Sequence, residues 1–196
     1  MEVGLLYSGG KDSTLAALFL DRVADVTLLC GSFGVTDDYE HAREAAAEAG
    51  FPSTRLDLDR AVAETAVEQI LADGYPRSGI QQVHEHALER AAESSFDAVA
   101  DGTRRDDRVP TVDRPLAQSI EDRFDVSHLA PLAGIGRGAI DALAAEHLCV
   151  EAGSSAEIPK GDYETELRAL IRDEHDQERV DAVFPAHDQS RVVGLK

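Results

Sequence analysis

Short apolar runs alternate along this chain with stretches of helical period, and that alternation restricts the fold more than any other feature. Residues 2–7 are apolar almost throughout and end at Ser8-Gly9-Gly10, the pattern of a strand buried on both faces. Residues 12–22 then carry Leu15, Leu18 and Phe19 at helical spacing. Residues 25–30 read as a second strand, 53–58 as a third, 96–100 as a fourth and 126–132 as a fifth. Asp37 and Glu40 have capping-box spacing and open an Ala-rich helix that stops at Gly50. Residues 60–73 are helical, Gly74-Tyr75-Pro76 breaks the chain, and Ile80, Val83, Ala87, Leu88 and Ala91 mark one face of the next helix. Asp113 and Pro115 start another, running to about residue 124. Strands separated by helices pair in parallel through right-handed crossovers. The expected fold is therefore α/β: a doubly wound, mainly parallel five-stranded sheet with helices on both faces.

Past residue 133 the pattern is weaker. A Gly-rich turn leads into a helix over 139–147, residues 162–172 look helical, and 190–195 suit an edge strand. The 196 residues fit one α/β domain with a short appendage. We divide them into a core over 1–133 and a helical extension over 134–196 packed on it. The helix at 162–172 is a candidate homodimer or partner surface.

Charge limits the partners. Acidic residues number 38 and basic residues 19, a net charge of −19. Lys occurs only at Lys11, Lys160 and Lys196, and Asp outnumbers Glu. Dispersed acid with so little Lys resembles the proteins of salt-loving archaea, whose internal salt screens the self-repulsion. Such a field repels nucleic acid, so any RNA partner needs a local Arg patch or a second protein. No apolar run approaches the roughly 18 residues of a membrane helix, and the first residues read as a strand and not as an export signal. The expected location is the cytoplasm, without membrane contact. Two distant cysteines, Cys30 and Cys149, make neither a disulfide scaffold, nor a CxxC pair, nor a four-cysteine metal site.

Ligands of doubly wound sheets bind beyond the carboxyl ends of the strands, so the loops after Tyr7, Cys30 and Ala100 are the candidates. In the first, Gly9 and Gly10 allow close backbone approach and positive φ. The helix start beyond them offers unpaired N–H groups and the positive end of a dipole. Lys11 adds a point charge, and Ser8 and Ser13 add hydroxyls. Together they form an oxyanion cradle with neither Walker A nor dinucleotide-fold spacing. A Gly-rich turn with an incidental Lys is the bland alternative.

Ser8-Gly9-Gly10-Lys11-Asp12-Ser13, directly after Leu5-Leu6-Tyr7, resembles the PP-loop of the N-type ATP pyrophosphatases, similar in fold to the adenine-nucleotide α-hydrolases. The resemblance covers residues 1–132. It implies that ATP is cleaved between its α and β phosphates and that a substrate, a tRNA base in the thiolation members, is adenylated. Pyrophosphate then leaves from residues 8–13, and a sulfur or nitrogen nucleophile displaces AMP. Mg²⁺ shares the leaving charge, held by Asp12 and Asp106. The implied partners are ATP, tRNA and a tRNA-binding or sulfur-donor protein. An ammonia-dependent ligase of the diphthamide or NAD synthetase type and a non-catalytic ATP- or AMP-binding module fit the same motif.

Three further segments attach to this reading. Asp101-Gly102-Thr103-Arg104-Arg105-Asp106-Asp107-Arg108 resembles the second site loop of these enzymes. There Gly102, Thr103 and Arg104 would contact nucleotide, Asp106 or Asp107 would hold Mg²⁺ or orient substrate, and the Arg residues would stabilise phosphate or grip RNA. The alternative is a solvated salt-bridge loop. Gly31, Ser32 and Phe33 would bind adenine, unless they form a plain turn. Lys160 is set apart by the scarcity of Lys and is a candidate for the α-phosphate or a substrate carbonyl, or else an ordinary loop residue. With Lys11, Asp12, Asp106 and Asp107 it completes the candidate catalytic set. His84 and His86 sit two apart on a helix and so face different ways, against a metal site; Cys149 has no second cysteine near it in sequence.

Overall fold

The structure is a computed structural model that describes residues 1–154, 158–185 and 187–196. Strands β1 (Glu2–Leu6), β2 (Asp25–Ser32), β3 (Ser53–Asp57), β4 (Ala98–Ala100) and β5 (Ser127–Leu129) form one sheet in the order β3-β2-β1-β4-β5, every neighbouring pair parallel. That is the doubly wound α/β sheet expected from the alternation. The chain winds outward from β1 to β3, then crosses back to β4. The order therefore reverses between β1 and β4, and a crevice opens there at the carboxyl ends of the strands.

Each face carries its own core. On one face α1 (Lys11–Leu20), α2 (Tyr39–Glu48) and α6 (Arg137–His147) bury Leu15, Leu20, Ala42, Ala45, Ile140 and Ala144 against Val3, Leu5 and Leu28. On the other, α3 (Arg60–Asp73), α4 (Arg77–Ala92) and α7 (Tyr163–Glu174) bury Ala66, Ile70, Val83, Leu88, Leu167 and Ile171 against Leu6, Leu29 and Val99. A Leu, Ile or Val taken wholly out of water contributes about 1.5–3 kcal/mol, so these clusters fix which helix lies on which face. The start of α3 is where the sequence puts it: Asp59 accepts the Ala61 amide at 2.9 Å, and Gly74 closes the helix at φ 68°.

Four details differ from the sequence reading. The Asp37–Glu40 capping box is not made; Asp38 is the N-cap without a side-chain bond to the helix, because its carboxylate accepts the Thr36 hydroxyl at 2.7 Å. The fifth strand is three residues, Ser127–Leu129, and not seven, its length limited by the short partner β4. Strand β6 (Leu148–Ser154) was not expected; it forms by pairing antiparallel with β7 (Asp188–Leu195) while Leu148 anchors it in the core. Helix α5 (Arg114–Phe124) agrees with expectation, with Asp113 accepting the Leu116 amide, whereas α8 (Gln177–Val183) had no clear periodic signal. Residues beyond 133 enter both cores: Ile140, Leu148 and Val192 on one face, Leu167, Val180 and Phe184 on the other.

Candidate active site

The SGGKDS segment joins β1 to α1 at the sheet's point of reversal. Gly9 has φ 80°, and a Cβ on it would lie 3.3 Å from Ala42 Cα and Ala45 Cβ, so the alanines of α2 let the loop pack tightly. Gly10 is extended (φ −82°) and is the N-cap of α1, so only one of the two glycines uses the left-handed region. First-turn amides of a helix have no intrahelical acceptor; that of Lys11 lies 3.5 Å from Ser190 Oγ. The Ser13 hydroxyl turns back to the Gly10 carbonyl at 3.2 Å, as does Thr14 at 2.9 Å.

Around this loop lies a cleft of about 350 Å³, lined by Ser8, Gly10, Lys11, Asp12, Ser13, Gly31, Gly102, Thr103, Asp107 and Lys160 among others. Most of the residues singled out in sequence therefore meet in one place, including Lys160, which lies some 150 positions from the 8–13 loop. A Cβ on Gly102 would come within 3.0 Å of Ser13 Cα, so glycine is what allows the β4 loop to touch the start of α1. Lys11 Nζ is 2.7 Å from Asp12 Oδ1 and 3.4 Å from Asp141. Arg104 contacts Asp12 at 3.5 Å and grips Asp107, whose carboxylate also accepts the Arg104 amide at 2.7 Å. Lys160 Nζ is 3.0 Å from Asp162. Burial alone would lower the pKa of that ammonium; Asp162, Asp12 and Glu164 outweigh it and hold the value above the ordinary lysine range.

Other expected residues lie elsewhere. Asp106 accepts the Arg137 amide at 2.9 Å and so tethers the start of α6. It does not line the cleft, whereas its neighbour Asp107 does, together with Asp12, Asp101, Asp162 and Glu164. Among the described residues no group of three or more His, Cys, Asp or Glu is arranged to hold a metal ion. Phe33 is buried, stacked with His86 at 6.5 Å and edge-on to Tyr163 at 6.4 Å. Its amide donates to Glu166 at 2.8 Å, and the Ser32 hydroxyl donates to the same carboxylate at 3.4 Å. Cys30 is buried in the core beneath α1 and α2 and does not line the cleft; burial pushes its thiol up to about 12.

Several residues of the cleft were not in the expected set. Asp101, fully buried at the end of β4, accepts His128 Nε2 at 2.8 Å and the Thr103 amide at 2.7 Å. Burial would raise its pKa, but His128 and those bonds hold it below the usual carboxylate value. His84, Tyr163, Glu164, His187 and Ser190 also line the cleft. For Tyr163 and Glu164 the signal was at hand, since they follow Lys160 directly in sequence. The two histidines of α4 separate: His86 Nε2 accepts the Asp59 amide at 3.0 Å, while His84 faces the cleft. No helix among the described residues is long and apolar enough to cross a membrane.

Two relatives from Methanocaldococcus jannaschii extend over nearly the whole chain. The uncharacterised protein MJ0690 is 39% identical over 197 residues, covering 100% of this chain and 97% of its own length. A crystal structure described as a predicted subunit of tRNA methyltransferase is 38% identical, with a TM-score of 0.91 and coverage of 100% and 98%. The U34-tRNA thiolase NcsA of Methanococcus maripaludis, described with its [4Fe-4S] cluster, is 16% identical at a TM-score of 0.49, covering 93% of this chain and 70% of that one. The model of DUF7411, a family of unknown function, matches residues 1–194, and this chain belongs to that family.

Proposed function

We propose that this protein is an ATP pyrophosphatase of the PP-loop type that adenylates a tRNA base. One observation carries the reading: the amide-rich start of α1, Lys11 and the distant Lys160 converge on a single cleft at the point where the sheet reverses. Amides and two ammonium groups around one cavity favour a polyanion. In the proposed reaction a substrate oxygen bonds to the α-phosphorus of ATP while the bond from that phosphorus to the α,β-bridging oxygen breaks. Pyrophosphate leaves against residues 8–13, where Lys11 offsets its charge. A sulfur or nitrogen nucleophile then displaces AMP from the activated base.

Mg²⁺ bound with the nucleotide would supply Lewis-acid polarisation, and Asp12, beside Lys11 at the start of α1, is the carboxylate that would hold it from the protein side. Asp106, which accepts the Arg137 amide and does not line the cleft, is given no role in this reading. Lys160, held protonated by Asp162, suits the α-phosphate. The tRNA assignment is supported by the description of the 38% identical M. jannaschii structure. It is also supported by exposed Arg105 and Arg108 on the β4 loop and Arg137 at the start of α6, a cationic rim on a chain of net charge −19.

The test is pyrophosphate release from ATP in molar KCl, with and without tRNA lacking the modification. Release stimulated by that tRNA is the expected result. ATP binding without turnover under any tRNA would instead indicate a nucleotide-binding module.

A further inference from the structure

The cleft has two chemically different walls. One is the phosphate side, with Ser8, Gly10, Lys11 and Lys160; the other is apolar, with Pro76, Ile80, Val109 and Pro110. His84 interrupts the apolar wall. It is 5% exposed, its ring lies 6.0 Å from Tyr163 at 63°, and its Nε2 is enclosed with no hydrogen-bond partner among the described residues. Buried polar atoms are nearly always paired, and an unpaired one on a cleft wall is where a ligand completes the bonding. Asp101 bonds to His128 and the Thr103 amide and makes no hydrogen bond to His84 Nε2.

The geometry points to His84 as the specificity contact for a planar nitrogen heterocycle: the base of the nucleotide whose phosphates the 8–13 loop holds. This rests on the nucleotide reading above and assigns its base subsite. An alkyl group against this wall would leave Nε2 unpaired, and an ion would lose its hydration beside Ile80 and Val109. A flat heterocycle covers the apolar side chains and still offers one N–H or one ring nitrogen. Burial keeps the imidazole below its usual pKa, despite the pull of Asp101 and Glu85 and with His128 pushing the same way, so at neutral pH it carries one donor and one acceptor nitrogen. The cleft of about 350 Å³ is of small-ligand size. Base recognition thus falls to α4 and not to Phe33, whose ring and amide are taken up in the core.

Two probes separate this proposal from the reading beneath it. Calorimetric titration of wild type, His84→Phe and His84→Gln with Mg²⁺-ATP and with Mg²⁺-tripolyphosphate, which has phosphates and no base, is the experiment. His84→Phe should weaken ATP about tenfold, the worth of one hydrogen bond to a buried group, and leave tripolyphosphate within about twofold. His84→Gln should retain part of the ATP affinity. In wild type, the ¹⁵N resonance of His84 Nε2 should move on addition of ATP and not of tripolyphosphate. Equal ATP affinity in wild type and His84→Phe, or an Nε2 resonance indifferent to ATP, overturns the proposal while the nucleotide reading stands. Wild type that binds neither probe rejects both. Should His84→Phe fail to fold, the wild-type resonance decides alone.

Discussion

The backbone amide of Val192, near the C-terminus, donates to the carbonyl of Gly9 at 2.9 Å. The 8–13 loop is thus buttressed from the side by β7. Val192→Pro removes the donor and should lower ATP-dependent pyrophosphate release about tenfold or more through loss of loop positioning. Val192→Ala keeps the amide and costs only packing, about 1–2 kcal/mol of stability, so it should retain most activity. Circular dichroism controls for unfolding, and equal activity of the two variants would disprove the buttress.

Lys11→Ala removes the charge next to the proposed leaving group. Loss of one such preorganised contact costs about 10²–10³-fold in rate. Because Lys11 is at the cleft surface and its partners Asp12 and Asp141 are partly exposed, the melting temperature should change little. Wild-type pyrophosphate release from this variant rejects the cradle.

Glu166 is 3% exposed and accepts the amides of Phe33, Val35 and Thr36 at 2.8, 3.0 and 3.3 Å. One carboxylate of α7 therefore ties down the whole turn after β2. Glu166→Ala leaves these donors without acceptors at about 1–3 kcal/mol each where burial is complete, and a total loss of about 3 kcal/mol is expected in urea unfolding. A change below about 0.5 kcal/mol, the size of a neutral surface substitution, would show that water replaces the carboxylate.

The Lys160–Asp162 pair makes stability depend on pH in a defined sense. Burial would raise the Asp162 pKa, but Lys160 and the Thr165 amide hold it below its unfolded value of 3.8. Its contribution is complete above that value and disappears as pH falls through the lower folded one. Lys160 is raised above 10.5, so its contribution is complete below 10.5 and is lost in stronger alkali. Asp162→Asn retains the cap on the Thr165 amide yet removes the charge. It should cost about 1–2 kcal/mol near neutral pH and flatten the acid limb of the stability curve. An unchanged acid limb would assign that limb to other carboxylates.

A net charge of −19 predicts salt dependence. Transfer from molar KCl to about 10 mM, where the Debye length is about 30 Å, should lower the melting temperature as repulsion among carboxylates is unscreened. A melting temperature indifferent to KCl removes the salt-adapted reading.

Much of the site was legible where function and local backbone coincide. The run from Glu2, the glycines at 9 and 10 and the helix begun at Lys11 are all local features, and they set the cradle by themselves. Gly102 was legible for the same reason, at the end of an apolar run. Asp106 misled because a sequence gives the composition of a loop and not its curl: the backbone carries Asp107 to the cleft and leaves Asp106 at α6. Phe33 misled because only packing decides whether an aromatic beside a Gly faces solvent or core.

The residues alone thus determined the alternation of strand and helix, the glycine-rich loop between β1 and α1 and the acidic composition, since each is read from local stretches or from residue counts. Tertiary structure decided that Lys160 shares a cleft with Lys11, that β7 supports Gly9, and that His84 reaches the cleft while His86 does not. Those outcomes depend on how two cores draw helices from opposite ends of the chain onto one sheet, a balance of buried area that no local stretch encodes.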